Sequence, residues 1–109
     1  MLTGSLDVTV GEGVTFRFTV TNAGDDPVTV TFRDSCQADF VVVDLDGEEV
    51  WRFSRGRLFT QVMQPARFEP GEEAVFEEAW PEPESGDYTA IAELRVQERD
   101  VRAETPFSV

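Results

Sequence analysis

Apolar and polar residues alternate with a period of two along most of this chain. The clearest case is Val14–Asn22, where Val14, Phe16, Phe18 and Val20 fall on one parity and Thr15, Arg17, Thr19 and Thr21 on the other. Successive side chains of a strand point to opposite faces, so this pattern predicts a half-buried strand. Ser5–Val10 reads the same way through Leu6, Val8 and Val10, and Gly11-Glu12-Gly13 turns between the two. The turn formers from Asn22 to Pro27 lead into Val28, Val30 and Phe32, which alternate with Thr29, Thr31 and Arg33. Two such runs joined by a short polar turn predict a hairpin-like pair of Val14–Asn22 with Val28–Phe32.

Asp34–Gln37 is a connection, and Ala38–Asp44 is almost continuously apolar, as a central strand covered on both faces would be. Asp46-Gly47 predicts a tight turn into a strand over Glu48–Phe53. Ser54–Pro65 reads as a loop, and Arg67–Glu72 holds a Pro-Gly turn. Glu73–Trp80 is the next strand, with Ala74, Phe76 and Trp80 on one parity. Past the acidic, proline-interrupted loop Pro81–Gly86, one face of a long strand carries Tyr88, Ala90, Ala92, Leu94 and Val96. A last strand falls within Val101–Val109. No segment spaces apolar residues as a helix does over ten or more positions. The expectation is all-β: an immunoglobulin-like antiparallel β-sandwich of about seven to nine strands, one domain over residues 1–109. Gly86-Asp87-Tyr88 ahead of a strand has the form of a tyrosine corner; the alternative is that Tyr88 is an ordinary core residue.

Composition supports a folded chain. At 109 residues, roughly 65% of the unfolded surface can be buried, and nine Phe with two Trp supply a core. The net charge is −13, all nine basic residues are Arg, and the 22 acidic residues are spread over nearly every loop. One reading is a partner-specific acidic surface; the other is adaptation to high salt. Dispersed acid with no Lys at all favours the second, and stability should then climb with salt as the Debye length shrinks to about 3 Å at 1 M. Phosphate binding needs clustered cations, so nucleic acid is not an expected partner. No apolar run reaches the length of a membrane span, and Met1–Val10 alternates rather than forming a signal sequence, although a segment upstream stays open. A single cysteine, Cys36, excludes an internal disulfide and fits a reducing compartment, so the cytoplasm is expected.

The residues point away from catalysis. With no His and one Cys, the usual nucleophile–base pairs and the usual Zn or Cu ligand sets cannot be assembled. The carboxylate pairs Asp25/Asp26, Glu48/Glu49, Glu72/Glu73 and Glu77/Glu78 are neighbours in sequence, which on a strand sends them to opposite faces. Asp44-Leu45-Asp46-Gly47 resembles the start of a calcium loop but lacks the later oxygen ligands. No cofactor or metal is expected. Cys36 has Arg33 nearby to favour a thiolate, yet a small buried residue is the plainer reading.

One stretch carries a different signal. Glu48–Gln61 begins as a strand with Val50, Trp51 and Phe53, then breaks into a loop with Arg55, Arg57, Leu58 and Phe59. Leu58 and Phe59 either plug one end of the sandwich or stand out as an interface anchor, since interfaces favour aromatics and Arg. Arg52, Arg55 and Arg57 make the one local positive patch; they pair with Glu48 and Glu49 or steer an acidic partner. The candidate partner-binding residues are Arg52, Ser54, Arg55, Arg57, Leu58, Phe59 and Gln61.

Several segments in order resemble the intracellular proteinase inhibitor family, the BsuPI-type domain. They are Phe16-x-Phe18-x-Val20-Thr21-Asn22 followed by Pro27-Val28, Ser35-Cys36-Gln37 with Asp39-Phe40, Gly47-x-Glu49-Val50-Trp51-Arg52-Phe53-Ser54, Phe59-Thr60-Gln61, and Pro70-Gly71-Glu72 leading to Phe76 and Trp80. Cys36 stands where Gly is more familiar, and Phe53 where Trp is common. The resemblance implies an immunoglobulin-like sandwich, a cytoplasmic home, and inhibition of an intracellular subtilisin-like serine protease by loop-mediated occlusion; separately, a monomer or weak dimer is expected. Two other readings remain beside it. One is a non-catalytic interaction module that binds a peptide, or a copy of itself, through a sheet edge; the other is a carbohydrate-binding sandwich using Trp51 and Trp80 if both face solvent.

Overall fold

The computed structural model describes residues 1–109 and contains nine strands and no helix. In chain order they are β1 (Leu2–Val10), β2 (Val14–Asn22), β3 (Val28–Phe32), β4 (Ala38–Asp44), β5 (Glu49–Arg52), β6 (Gln64–Phe68), β7 (Glu73–Trp80), β8 (Asp87–Leu94) and β9 (Arg102–Ser108). They form antiparallel sheets ordered β1-β2-β7 and β5-β4-β8-β9, with β3 and β6 as a separate pair. The first two sheets face one another as the layers of a sandwich. Val14, Phe16, Phe18 and Val20 are almost wholly buried between them, opposite Phe40, Val42, Ala90 and Ala92. Aromatic rings tie the layers together: Phe16 stacks on Phe40 with centroids 6.0 Å apart, and Phe18 meets Phe40 edge-on at 6.4 Å.

Three departures from the sequence pattern have physical causes. First, β2 and β3 are not a hairpin, because both edges of β2 are taken, by β1 and β7. Asn22 redirects the chain instead. Its buried side-chain amide donates to the carbonyls of Asp26 (2.8 Å) and Phe68 (2.9 Å), while its Oδ1 accepts from the Gly24 amide. Second, β3 therefore pairs with β6, a strand inside a stretch that reads as loop and turn; Pro65 sits in that pair opposite Thr31. Proline donates no hydrogen bond and is tolerated at a sheet edge, which is where β6 lies. Third, the outward face of β4 is covered only in part: Asp39 is buried, but Val41 and Val43 are half-buried.

The tyrosine corner is present. Tyr88 Oη donates to the Glu84 carbonyl at 2.8 Å, and a Cβ on Gly86 would come within 3.1 Å of that oxygen. The apolar faces of β2, β4 and β8 follow the alternation in the sequence, and Leu94 and Val96 are buried as that alternation requires.

Candidate functional site

The stretch from Asp44 to Gln64 is built around two carboxylates. Asp44 Oδ1 accepts the amides of Asp46 and Glu48, both at 2.9 Å, and Gly47 adopts φ +81°, closing the turn between β4 and β5. The Asp44 side chain is thus spent on the turn. β5 then pairs with β4 through a register shift between Val42 and Val43, which turns Trp51 inward onto Phe16 (5.7 Å) and Trp80 (6.2 Å) and leaves Val50 exposed.

Asp39, 1% exposed, fastens the end of β5 to β4. Its carboxylate accepts the Ser54 hydroxyl at 2.7 Å, the Ser54 amide at 3.1 Å and Arg52 Nη1 at 3.0 Å. Arg52 also reaches Glu49 at 2.8 Å, and Arg55 pairs with the other oxygen of Glu49. Arg57 lies over the Phe53 ring, 4.4 Å from its centroid, and donates from Nε to the Phe53 carbonyl. Stacking a guanidinium on a ring is attractive while leaving its other donors free.

Beyond Arg57 the chain is pinned twice more. The Thr60 amide donates to Ser35 Oγ at 2.8 Å and the Thr60 carbonyl accepts the Ser35 amide at 3.0 Å; then β6 joins β3. Between these pins the side chains divide. Phe59 turns in, half-buried against Phe53 with centroids 6.3 Å apart. Leu58 is fully exposed, and Gln61, Val62 and Met63 face solvent beside it.

The candidate residues therefore occupy three situations. Arg52, Ser54, Arg55 and Arg57 are held by contacts within the hairpin; the carboxylate partners of Arg52 and Arg55 are Glu49 and Asp39, with Glu48 playing no part, and Arg57 rests on Phe53. Phe59 is packed as a plug. Leu58 and Gln61 are presented to solvent. Val62 and Met63, more than half exposed, join the same surface and were not among the candidates, although an apolar pair flanked by Gln61 and Gln64 is the same signal that marked Leu58. Asp39 enters the sequence reading only within the segment Asp39-Phe40 and with no binding role, since nothing in sequence shows that a carboxylate on a strand will receive a serine fifteen residues away. The carbohydrate-binding reading fails on Trp80, which is only 8% exposed and stacked on Trp51, so no coplanar pair faces solvent.

Beneath the segment lies a groove of about 220 Å³. Phe53 and Phe59 line it on one side, Phe76, Glu77 and Glu78 of β7 on another, and Ser35–Ala38 with Phe40 form the rest. Burial holds the Glu78 carboxyl above the ordinary range, and the charge of Arg57 partly offsets this. Cys36 is buried and free; desolvation, then the nearby Asp39 carboxylate, pushes its thiol up to about 11. A thiol that stays protonated at neutral pH is a poor nucleophile, which accords with a packing role for the buried Cys36.

The whole is an antiparallel sandwich with an anchored, partly apolar loop at one end. The model of the family described as BsuPI, intracellular proteinase inhibitor, matches residues 2–99. The chain belongs to that family, whose description implies a protease as partner and a non-catalytic role. No helix is long and apolar enough to cross a membrane. A search of curated proteins finds no match. Among solved structures, the sporulation control protein Spo0M of Bacillus subtilis is similar with a TM-score of 0.57 and 17% identity, over 99% of this chain and 49% of that one. A beta-glucosidase from Kluyveromyces marxianus is similar over 100% of this chain and 14% of its own, at 16% identity and a TM-score of 0.50. This chain thus spans about half of the sporulation protein and a small part of the glycosidase. At such identities the likeness concerns the fold alone.

Proposed function

We propose that the chain inhibits an intracellular subtilisin-like serine protease by occlusion, with Ser54–Pro65 seated in the cleft and Leu58 filling the specificity pocket. The observation that carries this is the full exposure of Leu58 on a segment pinned at Ser54, at Thr60 and along β6. A loop fixed before binding loses little conformational entropy on docking, which is how a short segment binds tightly. Val62 and Met63 extend the apolar contact, Gln61 supplies hydrogen bonds, and Arg55 and Arg57 form a rim. The protein works as a monomer in the cytoplasm of a salt-adapted cell, in keeping with its dispersed carboxylates and lack of Lys.

The test is titration against a panel of subtilisin-like proteases in molar salt. Loss of a central anchor costs 2 kcal/mol or more, so Leu58→Asp should weaken inhibition by roughly 30-fold or more while leaving the melting temperature in place. Phe59→Asp is a poorer probe, because Phe59 packs on Phe53 and the change would disturb the fold. Equal inhibition by the parent and by folded Leu58→Asp would reject the assignment of the anchor.

A further inference from the structure

We propose that the groove beneath the loop and the unpaired edge of β7 together bind an extended segment of another protein, with one arginine or lysine side chain of that segment entering the groove. β7 ends its sheet: β2 pairs along one edge over Glu73–Trp80, and no backbone hydrogen bond reaches the other. Such an edge accepts a further strand, whose main chain supplies affinity while a pocket selects a side chain. The groove opens beside this edge and takes two of its walls from Phe76 and Glu78 of β7.

Size and chemistry define the side chain. At about 220 Å³ the groove is smaller than the usual small-molecule pocket and suits one long side chain. Its walls are the rings of Phe40, Phe53, Phe59 and Phe76, with Glu78 on the same inward face of β7 as Phe76, while the Glu77 carboxylate turns to the outer face beside Arg17. Aromatic faces beside carboxylates attract a cation with an apolar stem. The protein itself demonstrates this at the same place: Arg57 lays its guanidinium on Phe53, yet no ion pair within 4 Å joins it to Glu78. Glu78 is thus a half-buried carboxylate without a direct cationic partner. Charge also sets the occupant against a second copy of this chain. Two β7 edges side by side would bring together Glu73, Glu77 and Glu78 of each on a molecule of net charge −13, whereas a basic strand is drawn in.

Nuclear magnetic resonance of the labelled protein with a short peptide, acetyl-Thr-Val-Arg-Val-Thr-amide, tests this directly. Versions with norleucine or glutamate at the centre serve as controls, at the lowest salt that keeps the protein folded and with no protease present, so the outcome is independent of whether the loop inhibits. The arginine peptide should shift the amides of Val75–Ala79 and Cys36–Ala38 and bind roughly threefold to tenfold tighter than the norleucine peptide. Glu78→Gln should erase that preference while leaving norleucine binding unchanged. Equal affinity for arginine and norleucine, shifts confined to other surfaces, or a concentration-dependent dimer through β7 would each overturn the proposal. Should Glu78→Gln disturb the fold, the comparison of the three peptides decides alone.

Discussion

The two long sides of this sandwich are closed by different means. On one side β1 lies against β9, Leu6 is buried, the Leu6 carbonyl accepts the Thr105 hydroxyl at 2.6 Å, and Phe107 packs edge-on to Phe16 at 6.0 Å. Two full strands meet there and nothing is left over. On the other side β7 faces β5, which has only four residues, and the gap is filled by loop: Phe53 and Phe59 pack inward, Asp39 ties down Ser54, and a groove remains. A shortened edge strand opens a sandwich, and the chain that would have extended it becomes a presented surface. The stable side makes the scaffold, and the incomplete side carries the function proposed for it.

Substitutions separate these sides. The largest loss is expected from Phe16→Ala, since Phe16 touches Phe40, Trp51 and Phe107 and so belongs to both; denaturant unfolding should show about 3–5 kcal/mol. Asp39→Ala acts on the open side alone. It strands Ser54 and Arg52, and because Arg52 is partly exposed the cost is about 2–3 kcal/mol, below that of a fully buried pair. Proteolysis between Ser54 and Pro65 should accelerate in Asp39→Ala more than in a Leu6→Ala variant of equal stability; matched rates would erase the distinction between the sides. Tyr88→Phe removes one hydrogen bond to Glu84 and should cost about 0.5–1.5 kcal/mol. Leu58→Asp, in solvent, should change stability by less than about 0.5 kcal/mol.

Cys36 sharpens the comparison through pH. Its thiol is pushed up to about 11, so on raising the pH the unfolded chain ionises first. The contribution of Cys36 to stability is complete below the ordinary thiol range and is lost as pH rises toward about 11. Cys36→Ala should flatten that alkaline decline, and the native thiol should resist Ellman's reagent at pH 8 until the protein is unfolded.

Much of the fold was legible in the sequence because one face of β2, β4 and β8 is buried and the alternation records it. Pairing was less so. The partner of β3 depends on the Asn22 amide reaching Phe68, forty-six residues away, and no local pattern encodes that reach. β6 stayed hidden because Pro65 suppresses strand character that a sheet edge tolerates. At the loop, an aromatic and an aliphatic residue side by side look alike in sequence, yet Phe59 turns in and Leu58 turns out. Phe53 offers a ring that Phe59 packs against and the fully exposed Leu58 does not. The arginines were visible as a cluster, but the binding of Arg52 to Asp39 and Glu49 needs β4 and β5 in register.

Hydrogen exchange of the protein alone and saturated with a subtilisin-like protease made inactive by substitution of its catalytic serine, its cleft left open, tests the central claim most directly. Protection should appear across Ser54–Pro65 and leave β1 and β9 unchanged. Protection centred on β1 and β9, with Ser54–Pro65 exchanging as in the free protein, would contradict the account.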